Sequence, residues 1–163
     1  MQFLLDSNIF IEAKNRYYSF DICPGFWDWL DKSCGVNVGT VVNVRDELLE
    51  GNDDLAKWIK HRSKNPWFLN VDDEDTQREY KSIANYVNNS SYNFSAKEKF
   101  LSKADPWLIA KAKVSDAIVI TQEVWVGDAK KRIQIPNICS EFNVRYMNTF
   151  DVLKMCSVKF HSQ

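Results

Sequence analysis

Metal-binding motifs built on cysteine and histidine are absent from this sequence. It has four cysteines and two histidines, with no CxxC pair and no spacing typical of zinc ligands: Cys23, Cys34, Cys139, Cys156, His61 and His161. This spacing excludes the ordinary zinc motifs. Because the chain starts without a secretion signal, we expect the cysteines to be reduced and to behave mostly as small buried hydrophobes.

Long apolar runs and an excess of one charge are also missing. No segment approaches the roughly 18 consecutive apolar residues of a membrane-spanning helix. The chain begins Met1-Gln2-Phe3-Leu4-Leu5-Asp6, without the basic region or cleavage site of a signal peptide. Twenty-one Lys and Arg balance twenty-two Asp and Glu, so the net charge of −1 provides no global attraction to nucleic acid. We expect a cytoplasmic protein without membrane contact, in which RNA binding would need a local basic patch.

The length and composition are those of one globular domain. The 163 residues contain no linker, repeat or low-complexity segment, and we expect a single domain over residues 1–163. Six Trp and ten Phe predict an aromatic-rich core. Short apolar runs alternate with helical patterns, which favours an α/β fold with a mostly parallel central sheet flanked by helices.

Local patterns predict the individual elements. Apolar runs predict strands at Phe3–Leu5, Val36–Val38, Ala117–Thr121 and Val144–Met147, and residues 67–71 are ambiguous between strand and loop. Residues 88–93 are predicted to form a polar loop. Caps and apolar spacing predict helices over 9–14, from Pro24 to Gly35, and from a Thr40 cap to Leu49. Further helices are predicted to begin at Asp53 and at an Asp105 cap. The remaining predicted helices run over 72–87, over 138–142, and from a Thr149 cap to Met155.

Acidic residues lie where a working crevice is expected. In open α/β sheets that crevice lies beyond the carboxyl ends of the strands, and Asp6 and Glu123 each come directly after a predicted strand. Asp105 opens the helix that leads to the second of these strands, and Glu47 would reach in from a neighbouring helix. Converging carboxylates repel one another, and the usual solution is a hard divalent cation such as Mg²⁺ or Mn²⁺. Such a site suits hydrolysis of a phosphodiester.

Three short blocks resemble the ordered motifs of PIN domains. They are Leu5-Asp6-Ser7-Asn8-Ile9, the helix start Asp105-Pro106-Trp107-Leu108-Ile109-Ala110-Lys111-Ala112, and the strand end Ile118-Val119-Ile120-Thr121-Gln122-Glu123. The blocks span nearly the whole chain in the correct order. The resemblance implies a PIN-like three-layer sandwich with a mostly parallel central sheet flanked by helices.

Two further segments resemble the toxin-like branch of this family, whose relatives are mostly VapC-like toxins of bacterial toxin–antitoxin modules. One is the aromatic-rich insert Arg16-Tyr17-Tyr18 followed by Pro24-Gly25-Phe26-Trp27, and the other is Ile135-Pro136-Asn137-Ile138-Cys139. This resemblance implies a Mg²⁺-dependent (or Mn²⁺-dependent) endoribonuclease and an antitoxin partner, encoded by a neighbouring gene, that binds in or near the active site. The sequence leaves open whether the chain also forms a homodimer.

The resemblance assigns roles to individual residues. The catalytic acids fall on Asp6, Glu47, Asp105 and Glu123, with Asp6, Asp105 and Glu123 as metal ligands. It also implies that two polar residues orient these carboxylates, Asn8 and Thr121. Many PIN domains have Asp at the last position, where the longer Glu123 can still reach a metal.

Several alternatives remain open at this stage. Asp46 borders the same helix face as Glu47 and is the other candidate for the second acid. Candidate RNA contacts are Arg16, Tyr17, Lys130, Lys131 and Arg132, although aromatics at helical spacing usually belong to a core and short basic runs are usually solvated. A catalytically inactive PIN-fold binding module is the main alternative function. A phosphatase of the haloacid-dehalogenase kind would need a second Asp where this chain has Asn8.

Overall fold

Five short parallel strands form the central sheet of the computed structural model, which describes residues 2–33 and 36–159. Their order across the sheet is β3-β2-β1-β4-β5. The strands are β1 (Phe3–Leu5), β2 (Val38–Val41), β3 (Phe68–Leu69), β4 (Ile118–Ile120) and β5 (Tyr146–Met147). Because every pairing is parallel, all the carboxyl ends meet at one edge of the sheet.

Helices fill the connections between the strands. They are α1 (Ser7–Glu12), which continues into a π-helical turn (Ala13–Tyr17), α2 (Pro24–Ser33), α3 (Val42–Leu49), α4 (Asp54–Arg62), α5 (Glu74–Asn89), α6 (Phe94–Leu101), α7 (Asp105–Val114), α8 (Ile135–Glu141) and α9 (Thr149–Met155). Helices α1 and α4 contact α3, whereas α5, α6 and α8 contact α7, which also contacts β2 and β4. Right-handed crossovers between parallel strands place helices on both faces of such a sheet. The predicted α/β class is confirmed.

The central strands and an aromatic cluster form the core. Every residue of β1, β2 and β4 is buried, as expected for parallel strands covered on both faces. Trp67 is almost fully buried between Phe10, whose ring centroid lies 6.2 Å away, and Phe68, at 4.1 Å. The aromatic-rich core is therefore confirmed. None of the helices in the described ranges is long and apolar enough to cross a membrane.

Three predicted helix caps are wrong. Thr40 does not cap a helix; it is buried in β2, where its hydroxyl donates to the Leu5 carbonyl at 2.6 Å, and α3 begins two residues later. Asp105 is the first residue of α7, and Ala104 precedes it in the cap position. The cap of α9 is Asn148, whose side chain accepts from the Asp151 amide, because its side chain reaches the first turn from outside the helix.

Other boundaries also differ from the prediction. The second strand lies at Val38–Val41 rather than Val36–Val38, because its β-branched residues pair with both β1 and β3. The helix Phe94–Leu101 was not predicted at all, since its short polar sequence has little periodicity. The helix stop expected at Gly35 lies outside the described residues, as does Cys34. Of the other cysteines, all free, Cys139 is buried and two are partly buried: Cys23 and Cys156.

Candidate active site

Asp6 lies at the carboxyl end of the central strand and is fully buried. Its carboxylate accepts hydrogen bonds from the hydroxyls of Thr121 at 3.1 Å and Ser7 at 3.3 Å, and from the side-chain amide of Asn8 at 3.4 Å. Burial is the main cause that raises the pKa of Asp6 to about 6, and the nearby charge of Glu123 adds to it. Thr121 and Asn8 thus contact Asp6 in the way that the resemblance implied.

Asp105 is brought to the same edge by the first turn of α7. Its pKa is raised to about 8, chiefly by burial and then by the charges of Asp6, Glu123 and Glu47, while Lys103 acts in the opposite direction. A carboxylic acid with such a pKa retains its proton at neutral pH. The folded protein therefore opposes ionisation of Asp105, through burial first and through the neighbouring carboxylates second.

Glu47, not Asp46, is the acid of α3 that faces this edge. The Glu47 carboxylate accepts from the Ala104 amide at 2.8 Å, so it ties α3 to the residue that precedes Asp105. Asp46 points outward: its side chain is 60% exposed and pairs with Arg45 at 2.7 Å. The rotation of the helix thus places Glu47 rather than Asp46 at the cleft, and the catalytic role of Glu47 stays a prediction.

Glu123 is held by donors on both of its carboxylate oxygens. One oxygen lies 2.5 Å from Arg132 and the other accepts from the Ile135 amide at 2.7 Å. Its own amide donates to the Thr121 hydroxyl at 3.1 Å. The side chain is 10% exposed, and it links the end of β4 to the start of α8. In this arrangement Glu123 organises the loop around the site as well as adding negative charge.

The carboxylates of the site fit a divalent cation that also keeps water ligands. Across the described ranges, no three acidic, histidine or cysteine side chains converge closely enough to form a complete ligand group. Mg²⁺, however, keeps several waters and is commonly held by only one or two carboxylates. Asp6 and Asp105 match this requirement because they lie near enough for the charge of Asp6 to raise the pKa of Asp105, and neither is among the described residues that form a salt bridge. The predicted ligand Glu123 is engaged by Arg132 instead.

Three of the acids, Glu47, Asp105 and Glu123, line a cleft of about 610 Å³ whose lining also includes basic side chains, whereas the buried Asp6 is not among the described lining residues. Two of these, Lys131 and Arg132, belong to the predicted basic run, whereas Lys130 is exposed and lies outside the described lining. The other two, Lys99 and Lys103, were missed because α6, which carries Lys99 and ends two residues before Lys103, was not predicted. Negative charge inside and positive charge around it suit a phosphodiester strand.

Arg16 and Tyr17, the other predicted RNA contacts, are not among the described residues that line the cleft. Arg16 lies 3.8 Å from Glu12 on the same helical segment. Tyr17 is 49% exposed and makes an edge contact with Phe150, with ring centroids 6.0 Å apart. Their role in RNA binding stays a prediction.

We expect the metal-free protein to lose stability as pH rises. An acid whose pKa is higher in the folded state binds its proton more tightly there, so raising the pH favours unfolding. Stability is lost over the pH range between the ordinary pKa of each acid and its pKa in the folded protein. This range runs from 3.8 to about 6 for Asp6 and from 3.8 to about 8 for Asp105. Asp105→Asn removes the larger of the two contributions to this pH-dependent loss of stability. The difference in Tm between the variant and the parent should therefore shift in favour of the variant by several degrees between about pH 5 and about pH 8. Thermal unfolding in the presence of chelator measures this, and equal losses in both proteins would contradict it.

Comparison with solved structures supports the fold. The chain is similar to the structure of FitAB bound to IR36 DNA fragment, with a TM-score of 0.52, 17% identity, and coverage of 90% of this chain and 94% of the other. It is also similar to the crystal structure of FitAcB from Neisseria gonorrhoeae, with a TM-score of 0.53, 17% identity, and coverage of 91% and 99%. The fold is that of a PIN-like three-layer sandwich, with an acidic cleft at the carboxyl edge of its sheet.

The chain belongs to the family described as Domain of unknown function (DUF4411), which matches residues 3–160. Comparison with curated proteins gives no match. The family description carries no activity, and solved structures at this level of identity show the fold alone. The function must therefore be inferred from the site.

Proposed function

We propose that this chain is a divalent-metal-dependent endoribonuclease and the toxin of a toxin–antitoxin pair. The observation that carries the proposal is a cluster of acids at one edge of the sheet: Glu47, Asp105 and Glu123 line a cleft together with basic side chains, and the buried Asp6 is near enough to act on the pKa of Asp105. Burial first and neighbouring carboxylates second raise the pKa values of Asp6 and Asp105, and a bound Mg²⁺ or Mn²⁺ ion would favour the ionised form of both acids.

Each acid has a separate task in this scheme. Asp6 and Asp105 would hold the ion, since their short side chains sit on rigid element ends. The ion, when bound, would polarise the phosphodiester and lower the pKa of the attacking water. Glu47 keeps Asp105 in place through the Ala104 amide, and Glu123 orders the loop that presents Arg132.

The basic side chains determine where the strand lies. Lys99 and Lys103 approach the cleft from the side of α6, and Lys131 and Arg132 approach from the loop after β4. A phosphate backbone that crosses between these two sides would place one phosphodiester over the acids. This local arrangement supplies the attraction that the net charge of −1 does not provide.

The toxin assignment rests on the resemblance to VapC-like proteins and on the cluster of acids at the cleft. A free ribonuclease would damage its own cell, so a controlling partner is required. An antitoxin segment that presents Arg or Lys to Asp6 and Asp105 would neutralise the same charge that the metal does. Such a partner would compete with both the metal and the RNA.

Metal dependence is the direct test of this proposal. Purified protein should cut a mixed-sequence RNA with Mg²⁺ or Mn²⁺ and should stop after exhaustive chelation, because the acids alone cannot neutralise the scissile phosphate. Metal should also raise the unfolding free energy by about 2.7 kcal/mol at 100 times its Kd, which thermal unfolding would record.

Two outcomes would count against it. Cleavage that survives chelation would remove the metal from the mechanism. RNA binding without cleavage at any concentration of Mg²⁺ or Mn²⁺ would favour the inactive binding module instead.

A further inference from the structure

A second pocket, of about 390 Å³, lies beside the acidic cleft and differs from it in chemistry. Three aromatic side chains line it, and two of them are well exposed: Trp125 by 57% and Tyr86 by 36%, with Tyr92 half-buried. The rest of the described lining is mostly polar and includes Asp128 and Glu141, but no lysine or arginine. Such a surface suits a flat, uncharged ring and repels phosphate.

The pocket and the cleft share two walls. The loop after β4 places Glu123 in the cleft and Trp125, two residues later, in the pocket. Two residues span at most about 7 Å, so the two sites are neighbours. On the opposite side, residues 89–92 line the pocket and lead directly into α6, which lines the cleft. The Asn93 amide joins these two walls by donating to the Lys130 carbonyl at 2.8 Å.

The aromatic side chains are held in place. The Asn137 side chain clamps the backbone of Val126, donating to its carbonyl at 2.8 Å and accepting from its amide at 3.1 Å. The Trp125 ring lies against Gly127, where a Cβ would come within 3.1 Å of it. Tyr86 packs edge-on against Phe142, with ring centroids 5.7 Å apart. A ring that is prepositioned loses little freedom when a ligand stacks on it.

We propose that this second pocket binds one unpaired base of the RNA strand whose phosphodiester lies in the cleft, and that it prefers adenine, cytosine or guanine to uracil. The proposal rests on the proposed ribonuclease function. Aromatic rings stack with any base, and the carboxylates of Asp128 and Glu141 accept hydrogen bonds from the exocyclic amino group that uracil lacks. The pocket would therefore select the nucleotide next to the cut.

The test compares cleavage by the parent, Trp125→Ala and Tyr146→Ala on one mixed-sequence single-stranded RNA. The parent should cut with a base preference at a position flanking the cut. Trp125→Ala should lose this preference and raise KM by about 5-fold to 150-fold, the range expected when base stacking is lost. Trp125→Phe keeps a stacking ring, so its base preference and KM should be close to those of the parent. The control Tyr146 is an aromatic residue on β5, 39% exposed and outside the described lining of both pockets.

Three results separate the possibilities. If the parent cuts RNA and Trp125→Ala keeps its KM and base preference, the base pocket is wrong while the ribonuclease stands. If the parent cuts no RNA, the ribonuclease proposal fails, and binding of labelled oligoadenylate and oligouridylate replaces cleavage as the readout. Equal binding by the parent and Trp125→Ala would then overturn the pocket as well. A Trp125→Ala protein that loses only its affinity for an antitoxin would assign the surface to protein binding and also overturn the proposal.

Discussion

Asp6→Asn and Asp105→Asn should each abolish RNA cleavage and leave the protein folded. Each change replaces an acid that would bind the metal as a carboxylate with an amide that cannot ionise, with almost no change in shape. A loss of at least about 100-fold is expected, because losses of this size already follow when groups that only orient metal ligands are removed. The measurement is cleavage of a mixed-sequence RNA by each purified variant at saturating Mg²⁺.

Thermal unfolding of the same samples separates lost chemistry from lost structure. The raised pKa values of Asp6 and Asp105 mean that the folded parent opposes the ionisation of both acids, which the unfolded chain allows. Replacing either acid by Asn removes this cost to the stability of the metal-free protein. The Tm of the metal-free variants at neutral pH should therefore be higher than that of the parent, by about 2–4 °C for each kcal/mol gained.

Asp116→Asn is the matched control for these variants. Asp116 precedes β4, at the opposite end of the strand from Glu123, and its side chain is 95% exposed in a pair with Arg145 at 3.0 Å. It has a φ of 49°, a conformation that Asn adopts as readily as Asp, so the backbone is unaffected. Activity should be nearly that of the parent. If Asp116→Asn fails to cut RNA while Asp105→Asn still cuts it, the active edge has been assigned to the wrong end of the sheet.

Expression of this chain alone should stop bacterial growth, and co-expression of the protein encoded by its neighbouring gene should restore it. An unrestrained endoribonuclease degrades cellular RNA, whereas a partner that fills the cleft with Arg or Lys blocks both metal and substrate. Growth curves after induction measure the effect, which should be a complete arrest rather than a slower rate.

Asp105→Asn provides the control for toxicity. Cells that express it should grow normally, and the purified variant should still bind the neighbour, since most of the cleft surface is unchanged. Arrest by both proteins would show that the toxicity has another cause than cleavage. Unaffected growth with the active chain alone would contradict the toxin assignment and leave the nuclease to be judged by the cleavage assay.

Much of the fold follows from local sequence signals. Phe3–Leu5 and the Ala117–Thr121 run are short, apolar and mostly branched, which is typical of a strand buried on both faces, and both lie centrally in the sheet. Asp6 and Glu123 come directly after these strands. Once the strands are parallel, their carboxyl ends share an edge, so the meeting of these two acids was already determined by the sequence.

Tertiary structure alone decided how the rest of the site is arranged. Whether Glu47 or Asp46 faces the cleft depends on the rotation of α3 against α7, which is set by the Ala104 contact 57 positions away in the chain. No local pattern predicted α6 or the position of Lys99 and Lys103 in the cleft, because a short polar helix is stabilised mainly by the surface on which it packs. The Arg132 contact that holds Glu123 likewise forms only after the chain has turned back on itself. Acid identities and strand ends are properties of local sequence, whereas the partners of each carboxylate come from long-range packing that local sequence does not encode.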